Sequence, residues 1–270
     1  MTLGIEEEAL AAACSVAVKH GLPCGDAEVV YSGSNVLVHL LPSPVIARVM
    51  SGTVALHDDP KAWLSREVEV TDFLAPTGLA IPPSSMIAPG PFRSGGLWMT
   101  FASWVDVVGL MEPSDAEVLG VALRSLHDAL AEFPGELGTM LDLQQDIERL
   151  RRQLPPTPPV KALGERLVAL TDTVFDTSLP TQALHGDASL SNLLHTPMGL
   201  IWNDLEDVLR GPVHWDVAGY VIALEDRGAD AAFVRRALDA YGWDHAEDLA
   251  PFTAAHELYG EIWRAYAGAG

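Results

Sequence analysis

Three short apolar runs crowd into residues 28–50, and the turn residues between them leave no room for a helix. Glu28-Val-Val-Tyr31, Val36-Leu-Val-His-Leu40 and Val45-Ile-Ala-Arg-Val-Met50 are rich in β-branched residues, and Ser32-Gly-Ser-Asn35 and Pro42-Ser-Pro44 separate them. Short strands at this spacing suggest an antiparallel sheet. An Ala-rich helix over residues 5–19 precedes them, ending at His20-Gly21. A second helix runs from about Pro60 to Leu74, with Asp58 and Asp59 before it and Pro60 near its first position. Leu79 to Met86 is a Pro-rich loop, and Leu97 to Trp104 is a strand followed by an extended link.

Beyond that link the periodicity changes. Ser114-Asp-Ala-Glu117 forms a capping box, and Leu119, Leu123, Leu126 and Leu130 follow at helical spacing. Further helices cover about 140–153, stopped by Pro155-Pro156, and about 161–174; the region from 215 onward is helical in two or three segments. The expected plan is α+β with two lobes: a small antiparallel-sheet lobe over residues 1–98, a hinge at 99–104, and a larger, mainly helical lobe over 105–270.

Composition narrows the partners. The 270 residues carry 37 acidic and 16 basic side chains, a net charge of −21. Nucleic-acid binding favours a basic face, so no nucleic-acid partner is expected, whereas a cationic ligand is permitted. Lys19, Lys61 and Lys161 are the only lysines, so a cation needed for chemistry usually has to be arginine. There is no apolar run of membrane-spanning length and no basic segment at the start, and two cysteines, Cys14 and Cys24, cannot build a disulfide framework. A reduced, cytoplasmic protein away from membranes is the expectation.

Residues 184–207, LHGDASLSNLLHTPMGLIWNDLED, carry the chemistry. Asn192-Leu-Leu-His195 and Leu200-Ile-Trp-Asn203 flank Thr196-Pro-Met-Gly199, whose Pro and Gly mark a turn. Pairing His195 with Leu200 sets Asn192 opposite Asn203 and brings Asp204 beside it. An amide oxygen and a carboxylate together suit a hard divalent cation such as Mg2+. Asp187, in the loop entering the hairpin, is placed to accept a proton from a hydroxyl. One base and two metal ligands around a hairpin are the parts of a phosphoryl-transfer site.

These residues resemble the aminoglycoside phosphotransferase and choline kinase family, a branch of the protein-kinase-like fold. The resemblance lies in His185-Gly186-Asp187, Asn192 and Asp204-Leu205-Glu206, followed by Gly211-Pro212 and Trp215-Asp216-Val217-Ala218. Upstream, Arg66-Glu67 with Phe73-Leu74 looks like the helix bearing the family's ion-pair Glu, and Leu126-His127-Asp128 like its LHD helix. The resemblance implies Asp187 as catalytic base, Asn192 and Asp204 as magnesium ligands, Asp216 as a brace of the catalytic loop and His185 as a structural support. Glu206 is left between a second metal and the acceptor.

The amino-terminal half departs from the family pattern. Arg48 stands where the family often has a phosphate-binding Lys, and its forked geometry differs from that of an ammonium. The resemblance assigns Arg48 the α- and β-phosphates, with Glu67 as its orienting partner and Glu69 as the alternative. Ser32-Gly33-Ser34-Asn35, with Ser34 and Asn35 as contacts, would serve as a phosphate loop; a plain hairpin turn is the competing reading. Met99 to Ser103, with Thr100, Phe101 and Ala102 at its centre, would hold adenine by its backbone, or is a simple strand. After Asp187 the chain has Ala188-Ser-Leu-Ser191 in place of the family's usual His-Pro, with the spacing to Asn192 kept.

The resemblance therefore implies a phosphotransferase that uses ATP and Mg2+ to phosphorylate a hydroxyl on a small molecule of aminoglycoside, amino-alcohol or sugar-like type. The alternative is a non-catalytic nucleotide-binding pseudokinase, suggested by Arg48 and the single glycine of the loop. A protein kinase is disfavoured, since no A-P-E-like segment lies between Asp204 and Trp215. Glu225, Asp226, Glu257, Glu261 and Trp263 on the last helices would suit a cationic acceptor, or form a solvated face.

Overall fold

Glu28–Ser32 (β1), Asn35–His39 (β2) and Val45–Met50 (β3) form the antiparallel meander that their turn residues dictate, and Phe92–Ser94 (β4) and Leu97–Ser103 (β5) extend it to the order β1-β2-β3-β5-β4. The computed structural model describes residues 4–51, 59–109, 115–244 and 246–267. Two units are distinguished: Met1–Gly109 with His195–Glu206, and Leu110–Leu194 with Asp207–Gly270.

In the first unit the register Val36↔Val49↔Met99 and Val38↔Ala47↔Phe101 puts these residues on one face of the sheet. That face is covered by helix α1 (Ile5–Lys19), whose Ala9, Ala12, Ala13, Val16 and Ala17 are buried in the same core. Small side chains at helical spacing let α1 approach the strands closely. Because strand side chains alternate, Leu37, Arg48 and Thr100, which pair across the sheet, point to the opposite face. Helix α2 (Pro60–Leu74) buries Leu64, Glu67, Val70 and Leu74 on one stripe. Asp59 caps it, accepting from the Ala62 amide at 3.0 Å; Asp58 lies outside the described residues.

Residues 99–103, expected in the connecting link, are strand throughout, because β5 pairs with β3 on one side and β4 on the other. The cysteines also differ from expectation: Cys14 on α1 and Cys24 in the loop before β1 are joined in a disulfide. Packing of α1 on the sheet brings their Cα atoms to 5.5 Å, inside bonding range.

The second unit is built on Ala116–Leu130 (α3), Met140–Arg152 (α4), Pro158–Ala169 (α5), His214–Asp226 (α6), Ala231–Tyr241 (α7) and Ala250–Ala267 (α8). Asp115 caps α3 by accepting from the Val118 amide at 3.1 Å; Ser114, expected to cap, lies outside the described residues. Helix α5 begins earlier than its sequence pattern suggested because Pro158 sits at its first position, where no amide hydrogen is needed. Gly120 lets α3 lie directly on α7, since a Cβ there would run into the Ala237 carbonyl. A small sheet of Gly138–Thr139 (β6), Leu209–Gly211 (β10) and Gln182–Leu184 (β7), with β10 central, leads the chain into the Asp187 loop. Leu193–Thr196 (β8) and Gly199–Trp202 (β9) form the hairpin read from the sequence. Among the described residues no helix is long and apolar enough to cross a membrane.

Candidate functional site

In the first unit, Arg48 is the centre of a buried charge cluster. Its Nη1 donates to Glu67 Oε2 at 2.9 Å, and its Nη2 pairs with Asp204 Oδ1 at 2.9 Å and with Glu206 Oε2. Glu67 reaches it because position 67 lies at the middle of the buried stripe of α2; Glu69, the alternative partner, is exposed. Asp204 is positioned by the chain leaving β9: Trp202 is buried, donates its amide to the Leu79 carbonyl at 2.7 Å and accepts from the Ile81 amide at 3.2 Å. Asp204 then takes φ 62°, the one left-handed non-glycine residue among those described. Asp tolerates that conformation better than most residues, and held strain of this kind concentrates at functional positions.

Three carboxylates share one guanidinium here, which sets their electrostatics. The Glu67 carboxyl is raised to about 7: burial is the largest cause and Glu206 and Asp204 add to it, while the charge and hydrogen bond of Arg48 oppose it. Burial by itself would make Arg48 easier to deprotonate, but the attraction of Glu67, Glu206 and Asp204 outweighs it and raises its pKa, so Arg48 keeps its charge.

Asn35 is 4% exposed, and its Nδ2 donates to Glu206 Oε1 at 3.3 Å. Ser34 lies in the two-residue turn between β1 and β2, where its carbonyl accepts from Ser51 Oγ at 3.2 Å. Glu206, which the sequence left between a second metal and the acceptor, faces Arg48 and Asn35. Thr100 pairs with Arg48 across the sheet. Phe101 has its amide on the Pro89 carbonyl at 2.8 Å and its carbonyl on the Ser84 amide at 3.2 Å. Ala102 pairs with Ile46 and bridges to Pro83. The backbone expected to hold adenine therefore already carries sheet and loop hydrogen bonds at these positions.

In the second unit, Asp187 and Asn192 are held together. Asn192 ends a short 3-10 turn, Leu190–Asn192, and its Nδ2 donates to both the Asp187 carbonyl and Asp187 Oδ2, each at 2.9 Å. The loop is held from below by Asp216, in the first turn of α6 and 1% exposed. Asp216 accepts from the His185 amide at 2.7 Å and the Gly186 amide at 2.9 Å, and pairs with His127 Nε2 at 2.9 Å. Burial works against its charge, but the hydrogen bond and charge of His127 and the His185 contacts outweigh it, holding the Asp216 carboxyl below its usual range. Gly186 has φ +88°, and a Cβ there would meet the Asp207 carbonyl, so the chain turns at this point only as glycine. The Asp187 amide donates to His185 Nδ1 at 3.3 Å.

Three further contacts, made by the neighbours of Asp216, had no readable signal beyond residue type: Trp215 Nε1 donates to the Gly186 carbonyl at 2.8 Å, Tyr241 Oη meets His127 Nδ1 at 2.8 Å, and His256 stacks on Trp215 at 3.8 Å. Of the acidic residues expected around an acceptor, Glu261 is taken up by a two-pronged pair with Arg166 at 2.7 and 3.0 Å, and Glu225, Asp226 and Glu257 are exposed. Trp263 packs on Tyr266. Among the described residues no three His, Cys, Asp or Glu side chains converge as a metal cage.

The family model described as the phosphotransferase enzyme family matches residues 30–252. The chain belongs to that family. No curated protein matches this phosphotransferase in sequence. Its fold is shared with choline kinase LicA from Streptococcus pneumoniae, at 15% identity and TM-score 0.70 over 94% of this chain and 89% of that one. It is shared also with an aminoglycoside-3'-phosphotransferase of type VIII, at 20% identity and TM-score 0.68 over 95% and 100% of the two chains. The amicoumacin kinase hAmiN, solved with AMP-PNP, Ca2+ and Ami, matches at 12% identity and TM-score 0.74 over 98% and 89%. The phosphotransferase thus has the α+β protein-kinase-like fold, with the antiparallel sheet in its amino-terminal region.

Proposed function

We propose that this phosphotransferase transfers the γ-phosphate of ATP, with Mg2+, to a hydroxyl of a small molecule. The observation that carries the proposal is the Asp187 loop: a carboxylate pinned by Asn192, on a turn whose two preceding amides are fixed by the buried Asp216. A base fixed in this way has little freedom to lose at the moment of reaction. In the proposed step the acceptor oxygen forms a bond to the γ-phosphorus, the bond from that phosphorus to the β,γ-bridging oxygen breaks, and the hydroxyl proton passes to Asp187. ADP carries away the bridging oxygen.

Asn192 and Asp204 are the proposed magnesium ligands, the ion supplying charge neutralisation at the phosphates. The donor set fits a hard cation. With Nδ2 of Asn192 used on Asp187, Oδ1 is the atom its amide can offer, and Asp204 offers a carboxylate. Arg48 is proposed to bind the α- and β-phosphates with Glu67 fixing one side of its fork, and Ser34 and Thr100 to contact the nucleotide. The first unit would then carry nucleotide contacts and the second the base and the acceptor.

Chains sharing this fold include choline, aminoglycoside and amicoumacin kinases, and the net charge of −21 favours an amine-bearing alcohol as acceptor. The test is ADP release from ATP with and without Mg2+ across a panel of amino alcohols, aminoglycosides and sugars. Magnesium-dependent release with at least one acceptor supports the kinase. Mg-ATP binding with no release on any acceptor would favour the pseudokinase alternative, for which the replacement of Lys by Arg48 is the favouring observation.

A further inference from the structure

We infer that Asn35 and Glu206 are positioning residues for Arg48, and that they set nucleotide affinity through the guanidinium without touching the nucleotide. The inference rests on the proposed binding of nucleotide phosphates by Arg48. Glu206 uses its two oxygens in two directions: Oε2 on Arg48 Nη2 and Oε1 on Asn35 Nδ2, at 3.3 Å. Glu67 takes the other prong of the fork through Nη1. The guanidinium is therefore clamped from both sides, and each clamp comes from a different segment: α2 on one side, the chain after β9 on the other. A lysine ammonium, a single point of charge, cannot be divided in this way, whereas the planar fork of arginine can.

Asn35 ties this clamp to the β1–β2 turn. It is the first residue of β2, directly after Gly33-Ser34, and it lies on the Arg48 face of the sheet, two residues from Leu37, which pairs with Arg48. The residue is 4% exposed, and its Oδ1 has no hydrogen-bond partner among the described residues. That orientation is explained by Glu206: turning the amide over would bring its oxygen against a carboxylate and lose a charge-assisted hydrogen bond. A side chain this buried, with its donor committed to Glu206, acts on a nucleotide through Arg48.

The test is a double-mutant cycle on Mg-ATP affinity measured by calorimetry, which needs no acceptor. Asn35→Ala and Glu206→Gln should each raise Kd about tenfold, the scale of a lost hydrogen bond to a charged group. The double variant should bind no more weakly than Glu206→Gln alone, because the two residues act in one chain. Asn35→Asp should bind more weakly than Asn35→Ala, and that excess should vanish in the Glu206→Gln background. Asn35→Ser serves in the same cycle should Asn35→Ala fail to fold. If the two factors multiply, or if Asn35→Asp matches Asn35→Ala, the positioning role is overturned while nucleotide binding stands. If the parent protein binds no Mg-ATP, the proposed function is overturned and this inference with it.

Discussion

Asn192 donates both of its amide hydrogen bonds to Asp187, one to the carbonyl and one to Oδ2. The residue proposed to hold magnesium thus also fixes the proposed base. Asn192→Ala should therefore damage two functions at once, weakening Mg-ATP binding and lowering kcat by about 10²-fold, the usual scale for losing a positioned base. Asn192→Asp should recover binding better than kcat, because it restores an oxygen ligand but places a like charge against Asp187. Steady-state kinetics with calorimetry checks both; a change in Kd with kcat intact would separate Asn192 from the base.

Asp216 is buried with three hydrogen bonds, so Asp216→Asn should cost about 3 kcal/mol or more of stability, the scale for breaking a buried charged network. The pH dependence follows from its lowered pKa. The folded value lies below the ordinary 3.8, so the stabilisation is fully present above 3.8 and is lost as the pH falls through the folded value. Urea midpoints of parent and variant should differ by a constant amount above pH 3.8 and converge in stronger acid. A gap that widens on acidification would contradict the network.

Glu67 has the opposite sign. Its folded pKa is raised from 4.5 to about 7, so the protein binds this proton more tightly when folded, and its contribution to stability declines as pH rises from 4.5 through about 7. Glu67→Gln should flatten the stability profile across that interval. Arg48→Ala should steepen it by removing the cation that opposes the shift, and should raise KM for ATP while lowering kcat. Arg48→Lys should recover only part of the kinetic loss, because one ammonium cannot span Glu67 on one side and Asp204 with Glu206 on the other. Denaturant titrations between pH 4 and 8 and steady-state kinetics at saturating acceptor decide these points.

The Cys14–Cys24 bond closes a short loop between α1 and the entry to β1. Cys14→Ser with Cys24→Ser should lower stability by about 2 kcal/mol, the low end of the usual range for a native disulfide. Thiol titration of the unfolded, unreduced protein should find no free cysteine. Two titratable thiols would contradict the bond.

Much of this molecule was legible in its sequence because local chemistry decides it. The strands at 28–50 follow from turn residues between β-branched runs, and the hairpin from Pro197 and Gly199. The Asp187 loop was legible because its residues lie close together in sequence. The Glu206 contact to Asn35 was not, since it joins residues 171 positions apart and neither residue type announces the other. The strand at 99–103 was read as a link as much as a strand, because its second neighbour, β4, is only three residues long and leaves almost no pattern. The strands β6, β7 and β10 are two or three residues long and pair segments far apart in sequence, Gly138–Thr139 and Gln182–Leu184 with Leu209–Gly211. The cysteines were misread because proximity in the fold, not spacing, decides whether two thiols meet.

The most direct measurement of the central claim is transfer of labelled γ-phosphate from ATP to an acceptor hydroxyl by the parent protein and by Asp187→Asn, with Mg-ATP binding measured on both. The account predicts label on the acceptor with the parent, loss of at least about 10²-fold in rate with Asp187→Asn, and nearly equal Mg-ATP affinity for the two. Equal transfer rates for parent and variant would contradict it.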